Sequence, residues 1–358
     1  MDFFDTICYN SEIKMIGELV MELSCKQNNI QKVRLAWLDI MKGIGIILVV
    51  MGHVYSNKMI FNWLYSFHMP LFFIAAGWLY KKKEISVDVK RRLKTIIIPY
   101  YAFGLLILLY WQFFERRFRD SDLSFVRSLR GLLLGQYSYL DFNVHLWFLP
   151  CFFVIVVLYN ILFNFGGKKA VCITSIVFSI IYIFVPMSEM PFGFNRVFKY
   201  IGFYFLGNIL SEIKLDKLIL KQGKVIKLVL FAMLMGANFL LSYFGLVKGI
   251  MWYITATLGV GAIIVISLII NHNKYLQFFG QISLVVLCIH GPVYRVIIKI
   301  ASIVTHMSAG NIRGNFIAVC VIVAVTMLIC CIVYNLLDKV APIMLGKSKK
   351  EQKLIKAE

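Results

Sequence analysis

The sequence predicts an all-α, polytopic integral membrane protein with about ten transmembrane helices and both termini in the cytoplasm. Three observations lead there. Of its 358 residues, 60% are hydrophobic and 16% charged, against about 45–50% and about 25% in soluble globular chains. The apolar residues come in repeated runs of about 17 to 23, the length a helix needs to cross roughly 30 Å of hydrocarbon. The basic residues between the runs are sided: 25 of 38 Lys and Arg share a side with the N-terminus, 11 lie opposite, and Lys42 and Arg295 fall within spans. That asymmetry is the positive-inside bias.

Residues 1–36 contain five acidic residues and no long apolar core, unlike a cleaved signal peptide. They read as a cytoplasmic or interfacial lead-in, with the first helix as an uncleaved signal. Spans follow at 38–56, 62–80, 94–112, 146–164, 170–186, 197–211, 226–244, 251–271, 278–300 and 315–337. The third exits through "LLYWQFF" and the fourth enters through "HLWFLP", placing Tyr and Trp at membrane interfaces. The connection 113–145 is the longest. Its "SDLSFVRSLRGLLLG" alternates apolar residues with arginines at helical spacing, the pattern of an interfacial helix or a partial lid. The domains are therefore the lead-in at 1–36, a transmembrane domain at 37–338 and a basic cytoplasmic tail at 339–358. No internal repeat supports an inverted-repeat transporter plan.

The formal charge is +20. In a soluble chain that would suggest nucleic acid. Here the cations cluster between spans, so the expected partners are membrane lipids with anionic headgroups, and no nucleic acid. There is no zinc-finger spacing, P-loop or Rossmann glycine pattern. The eight cysteines are scattered apart from "ICCIV" and read as small hydrophobes. With no HExxH and no pair of histidines at ligand spacing, no metal is expected.

Ionisable residues within spans are the functional candidates, because each is costly to bury in lipid. In the first helix Asp39, Lys42 and His53 share a face: from Asp39, Lys42 lies at about 300° and His53 at about 320°. Asp39 and Lys42 are close enough to pair. His53 lies about 16 Å beyond Lys42 along the axis, so the pair cannot serve this imidazole as an acid–base partner. The alternatives are a helix-start ion pair with Lys42 snorkelling, and a packing histidine. His68 enters the second helix in its outer half, two residues before Pro70, where it can approach His53. "KKKEISVDVKRRLK" offers Arg91, Arg92 and Lys94 to an anionic cytosolic ligand, or serves as a positive-inside stop. Asn143, His145 and Trp147 lie at the outer mouth of the fourth span. His290 falls near mid-membrane in the ninth, and Arg295 beyond it needs a partner.

These same segments resemble the membrane-bound acyltransferase 3 family, whose bacterial members transfer acetyl or other acyl groups onto cell-surface sugars. The likeness runs roughly from 34 to 337. The first helix matches the opening motif at Asp39, Lys42, Gly43, Gly52 and His53. "FHMPLFFIAAGWLY", with Ala76 where a serine is common, is similar to the second-helix signature; "KRRLKTIIIPY", "HLWFLPCFF" and "FFGQISLVVLCIHGP" are similar to later ones. Many members carry arginine at the position of Lys42; the sugar O-acetylase-like subgroup often uses lysine. In the basic segment Lys94 stands three residues after Arg91, with Arg92 as an alternative anchor. The hydrolase-like domain fused to some members is not expected here.

The resemblance implies acyl-CoA as donor, acetyl-CoA the expected one, with no permanently bound cofactor. It implies a sugar or polysaccharide acceptor, polysaccharide-assembly proteins as partners, and a bacterial inner-membrane location. Arg91, Arg92 and Lys94 would hold the nucleotide and His53 would be the general base. Asp39, Lys42 and His68 would complete the catalytic set, with His68 or the Asn143–His145 segment stabilising the oxyanion. Asn143, His145, Trp147, His290 and Arg295 would bind substrate. Two rivals remain: a transporter or flippase for a lipid-linked sugar or solute, which would move substrate without consuming thioester, and a structural or sensory membrane protein, in which the histidines only pack.

Overall fold

The computed structural model describes residues 35–119 and 123–347. The expected lead-in up to residue 34 and the tail beyond residue 347 lie outside them. Among the described residues there are helices and turns and no strand. Eight helical stretches are long and apolar enough to cross a membrane, and the chain is a multi-pass membrane protein.

Helices α1 (Ala36–Val54) and α2 (Lys58–Trp78) form a hairpin. Asn57 caps α2, its Oδ1 accepting the amides of Met59 and Ile60 at 3.0 and 3.1 Å, two donors the first turn leaves free. Helix α3 (Ile85–Arg92) continues through a π-turn at Leu93–Ile97 into α4 (Ile98–Phe113). Pro99 has no N–H for the carbonyl four residues back, and the helix widens just before it. The expected helix in the long connection is α5 (Phe125–Leu134). It is packed on α4, where Tyr100 and Tyr101 donate to the carbonyls of Leu132 and Leu133 at 2.7 and 3.0 Å.

A 3-10 segment, Asp141–Trp147, leads into α6 (Phe148–Phe184). The fourth and fifth expected spans both lie in α6, which breaks at Gly167 (φ 61°, ψ −158°), a backbone region essentially closed to residues with a Cβ. The sixth lies on α7 (Phe194–Glu212), which is not among the eight apolar stretches. Then come α8 (Leu215–Leu220), α9 (Lys224–Tyr243) and α10 (Gly249–Ile270). A separate short helix α11 (Lys274–Gln281) precedes α12 (Ser283–Thr305). The ninth span therefore starts later than the sequence suggested. Helices α13 (Ala309–Gly314) and α14 (Phe316–Val340) complete the bundle.

Helix α1 is the central element, touching α2, α10, α11, α12 and α14. Of its apolar window 67% is buried, against 11% for α9 at the periphery. Phe165, Met233, Ile317 and Val321 stand exposed on the outside, as a lipid-facing surface requires. Two crossings bring backbones into contact. A Cβ on Gly43 would strike the Leu276 carbonyl and one on Gly280 the Asp39 carbonyl, which locks α11 to α1; Gly77 and Gly207 do the same for α2 and α7. In lipid, where water drives no helix association, such close approach is a main source of packing energy.

Candidate functional site: a histidine cluster between two cavities

Four of the six histidines meet near the end of α1. His53 comes from α1, His68 from α2, His145 from the 3-10 segment and His290 from α12. The sequence expected His53 to meet His68, and their ring centres are 6.5 Å apart. Closer still are His145 at 3.9 Å and His290 at 5.4 Å, brought in by elements far away in sequence. Tyr65 Oη lies 2.5 Å from His53 Nδ1. Arg313 of α13 donates to the carbonyls of Val54 and His53 at 2.9 and 3.2 Å, satisfying acceptors that a helix end leaves open.

Backbone chemistry sets the cluster. His290 Nδ1 is 2.7 Å from the Val286 carbonyl and His68 Nδ1 is 2.6 Å from that of Leu64. A carbonyl only accepts, so in both rings Nδ1 carries a proton, and the neutral form of each presents a lone pair at Nε2. Pro292 has no N–H to give to the Cys288 carbonyl one turn earlier. Asn143 Nδ2 takes that place, donating to Cys288 at 2.6 Å. Asn143 also interrupts the 3-10 segment with an extended φ of −160°. A Cβ on Gly291 would lie 2.8 Å from His145 Cδ2 and 2.9 Å from Asn143 Oδ1, so the glycine makes room for both. The buried His145 Nε2, His290 Nε2 and Asn143 Oδ1 have no hydrogen-bond partner among the described residues. Buried polar atoms without a partner call for an explanation, and a catalytic or binding role is one.

The cluster lies between two cavities at this end of the bundle. The larger, about 690 Å³, is bordered by His53 and His68 and walled by Tyr65, Trp147, Tyr200 and Trp252. The smaller, about 330 Å³, is bordered by His145 with Arg119, Asp141, Arg295 and Arg313. Arg295 has the partner its burial demanded: Nε lies 2.5 Å from Glu115 Oε1, and Nη2 donates to the Phe142 carbonyl at 2.8 Å. Arg119 joins Glu115 at 3.5 Å and Asp141 at 2.6 Å.

At the opposite end of α1, Lys42 Nζ and Asp39 Oδ1 pair at 2.6 Å, one helical turn apart as expected. Arg92 is tied to buried Asp88 at 3.3 Å, while Arg91 and Lys94 are exposed. The structure thus separates the sequence candidates into two sets. His53, His68, Asn143, His145, Trp147, His290 and Arg295 gather at one end, and Asp39, Lys42, Arg91, Arg92 and Lys94 at the other.

His53, His145 and His290 offer nitrogens all within 4.8 Å of one another, a grouping that no spacing rule could anticipate. Imidazoles around a tetrahedral zinc hold their ring centres about 5 Å apart. Here two of the three pairs are tighter, at 3.9 and 4.2 Å, with ring planes tilted by 59° and 35°. The donor types suit a borderline divalent metal; this ring arrangement does not.

Sequence reasoning missed Tyr65, Glu115, Arg196, Lys199 and Arg313. Only Tyr65, three residues before His68, carried a local signal; the others reach the site from loops or helix ends. A family profile described as an acyltransferase domain (acyltransferase 3) matches residues 35–335. No curated protein and no solved structure matches the chain. The matched stretch covers α1 to α14 almost entirely and includes every residue of the histidine cluster: the chain belongs to the acyltransferase 3 family.

Proposed function

We propose that this acyltransferase moves an acyl group, acetyl being the expected one, from acyl-CoA to a hydroxyl of a cell-surface or lipid-linked sugar. It would do so in the bacterial inner membrane with both termini in the cytoplasm. The observation that carries the reading is the position of His53. It borders an aromatic-walled cavity, the surface sugars stack on, while the exposed cations Arg91 and Lys94 lie at the far end of the bundle. The anionic end of CoA would stay with those cations, Arg92 being engaged by Asp88. The thioester arm would pass the Asp39–Lys42 level.

When His53 Nδ1–H donates to Tyr65 Oη, Nε2 is free to accept a proton. His53 Nε2 then takes the proton of the sugar hydroxyl as its oxygen attacks the thioester carbonyl. The tetrahedral oxyanion collapses, the C–S bond breaks, and the CoA sulfur leaves with the proton returned by the imidazolium. Of the oxyanion candidates, neutral His68 has its one N–H committed to Leu64. His145, whose Nε2 is unpartnered, and the second Nδ2 hydrogen of Asn143 are better suited.

The test uses protein in nanodiscs with labelled acetyl-CoA and surface-glycan acceptors, reading CoA release and acceptor mass. His53→Ala is expected to lower transfer by about 100- to 10,000-fold without a labelled acyl-enzyme accumulating. Full transfer by His53→Ala, or no CoA release with any glycan, would sink the reading.

A further inference from the structure

The larger cavity holds a charge imbalance. Arg196 and Lys199, on the first turns of α7, both line it, and among the described residues no Asp or Glu does. Neither cation has an ion pair or a hydrogen bond among the described residues. Aromatic faces hold them instead. The Arg196 guanidinium lies 4.1 Å from the Tyr137 ring centre and 4.4 Å from that of Trp147, and Lys199 Nζ lies 3.9 Å from that of Trp252. The carboxylate nearest in sequence, Glu189, is engaged elsewhere, both oxygens accepting from the Ser138 amide at 3.2 Å. Asn195 Oδ1, also in the lining, is buried without a donor. The N-terminal end of α7 adds its own positive potential.

Cations in a partly desolvated wall are costly without an anion. Cation–π contacts position them and offset part of that cost while leaving their N–H groups free to donate. We infer that the cavity binds an acceptor bearing an anionic group, the carboxylate of an acidic sugar or the phosphate of a phosphorylated one. Arg196 and Lys199 hold the anion, the aromatic wall of the cavity packs against the ring, and Asn195 Oδ1 accepts from a hydroxyl. The inference rests on the reading of this cavity as the acceptor site.

Folded protein in phosphatidylcholine nanodiscs is titrated with glucuronate, glucose phosphate and the neutral methyl ester of glucuronate. Tryptophan fluorescence is the readout, because Trp147 and Trp252 line the cavity. At least one anion is expected to bind about tenfold or more tightly than the ester, and the better one identifies carboxylate or phosphate. Arg196→Gln and Lys199→Gln are expected to bring it down to the ester's affinity, while Arg196→Lys and Lys199→Arg retain most of the preference. Equal binding of charged and neutral sugars by the wild-type protein overturns the inference and leaves the acceptor cavity standing. No binding of any of the three overturns both. If phosphatidylglycerol in place of phosphatidylcholine abolishes binding, the cations belong to a lipid headgroup and the inference falls. Should the Gln variants fail to fold, the wild-type comparison decides.

Discussion

At the scale of single residues, partner atoms decide what the polar groups of the bundle can do. Tyr65 touches His53 and no other described group through its hydroxyl, and in the proposed mechanism it positions the imidazole. Tyr65→Phe is expected to lower kcat about tenfold or more with little change in KM, and to alter the pH–rate profile. An unchanged profile would leave Tyr65 a packing residue. Arg295 and Glu115 form a different kind of pair, each largely shielded from solvent. Arg295→Leu leaves the Glu115 carboxylate with only the longer Arg119 contact, a loss of up to about 3 kcal/mol, measurable as a lower unfolding temperature in detergent. The double variant with Glu115→Leu is expected to recover most of it. Asp39, Lys42 and His53 could be grouped from the sequence because helical periodicity puts them on one face. The partner of Arg295 could not, because a loop delivers Glu115 across 180 positions.

At the scale of elements, glycine contacts and two prolines set the geometry. Gly280→Ala puts a methyl group into the Asp39 carbonyl, and α11 must lift off α1. Expected is loss of monodisperse protein on size-exclusion chromatography, or a clearly lower melting temperature. Gly236→Ala is the control: it lies on peripheral α9 with nothing within 4 Å of the new Cβ, and helix propensity makes it neutral or slightly stabilising. Equal behaviour of the two variants would mean that the α1–α11 crossing has slack. Most helices were legible as apolar runs. The break at Gly167 was legible only as a short polar gap, and α11 was absorbed into the next span because "QFFGQISLVV" stays apolar across it. Pro292 frees the Cys288 carbonyl that anchors Asn143, and His145 follows two residues later. That relation exists between elements and leaves no periodicity behind.

For the whole molecule, alternation of the spans puts the loop at 185–193 and the segment at 79–84 at opposite ends. In a cysteine-depleted background, Ser188→Cys is expected to react with a membrane-impermeant maleimide in intact cells. Lys82→Cys is expected to react only after permeabilisation. The reverse pattern would invert the proposed orientation and with it the direction of donor entry. One feature of α1 bears on motion. Its Asp39 end is locked to α11 through backbone contacts, and its His53 end is pinned by Arg313 and by the amide of Ser56 on the Arg313 carbonyl. A rod held at both ends keeps its length, so the roughly 16 Å between the lysine and the imidazole is a fixed gauge. In the proposed reaction the donor's own flexible arm must cover that reach, and donors with shortened arms should fail even when their nucleotide ends bind normally.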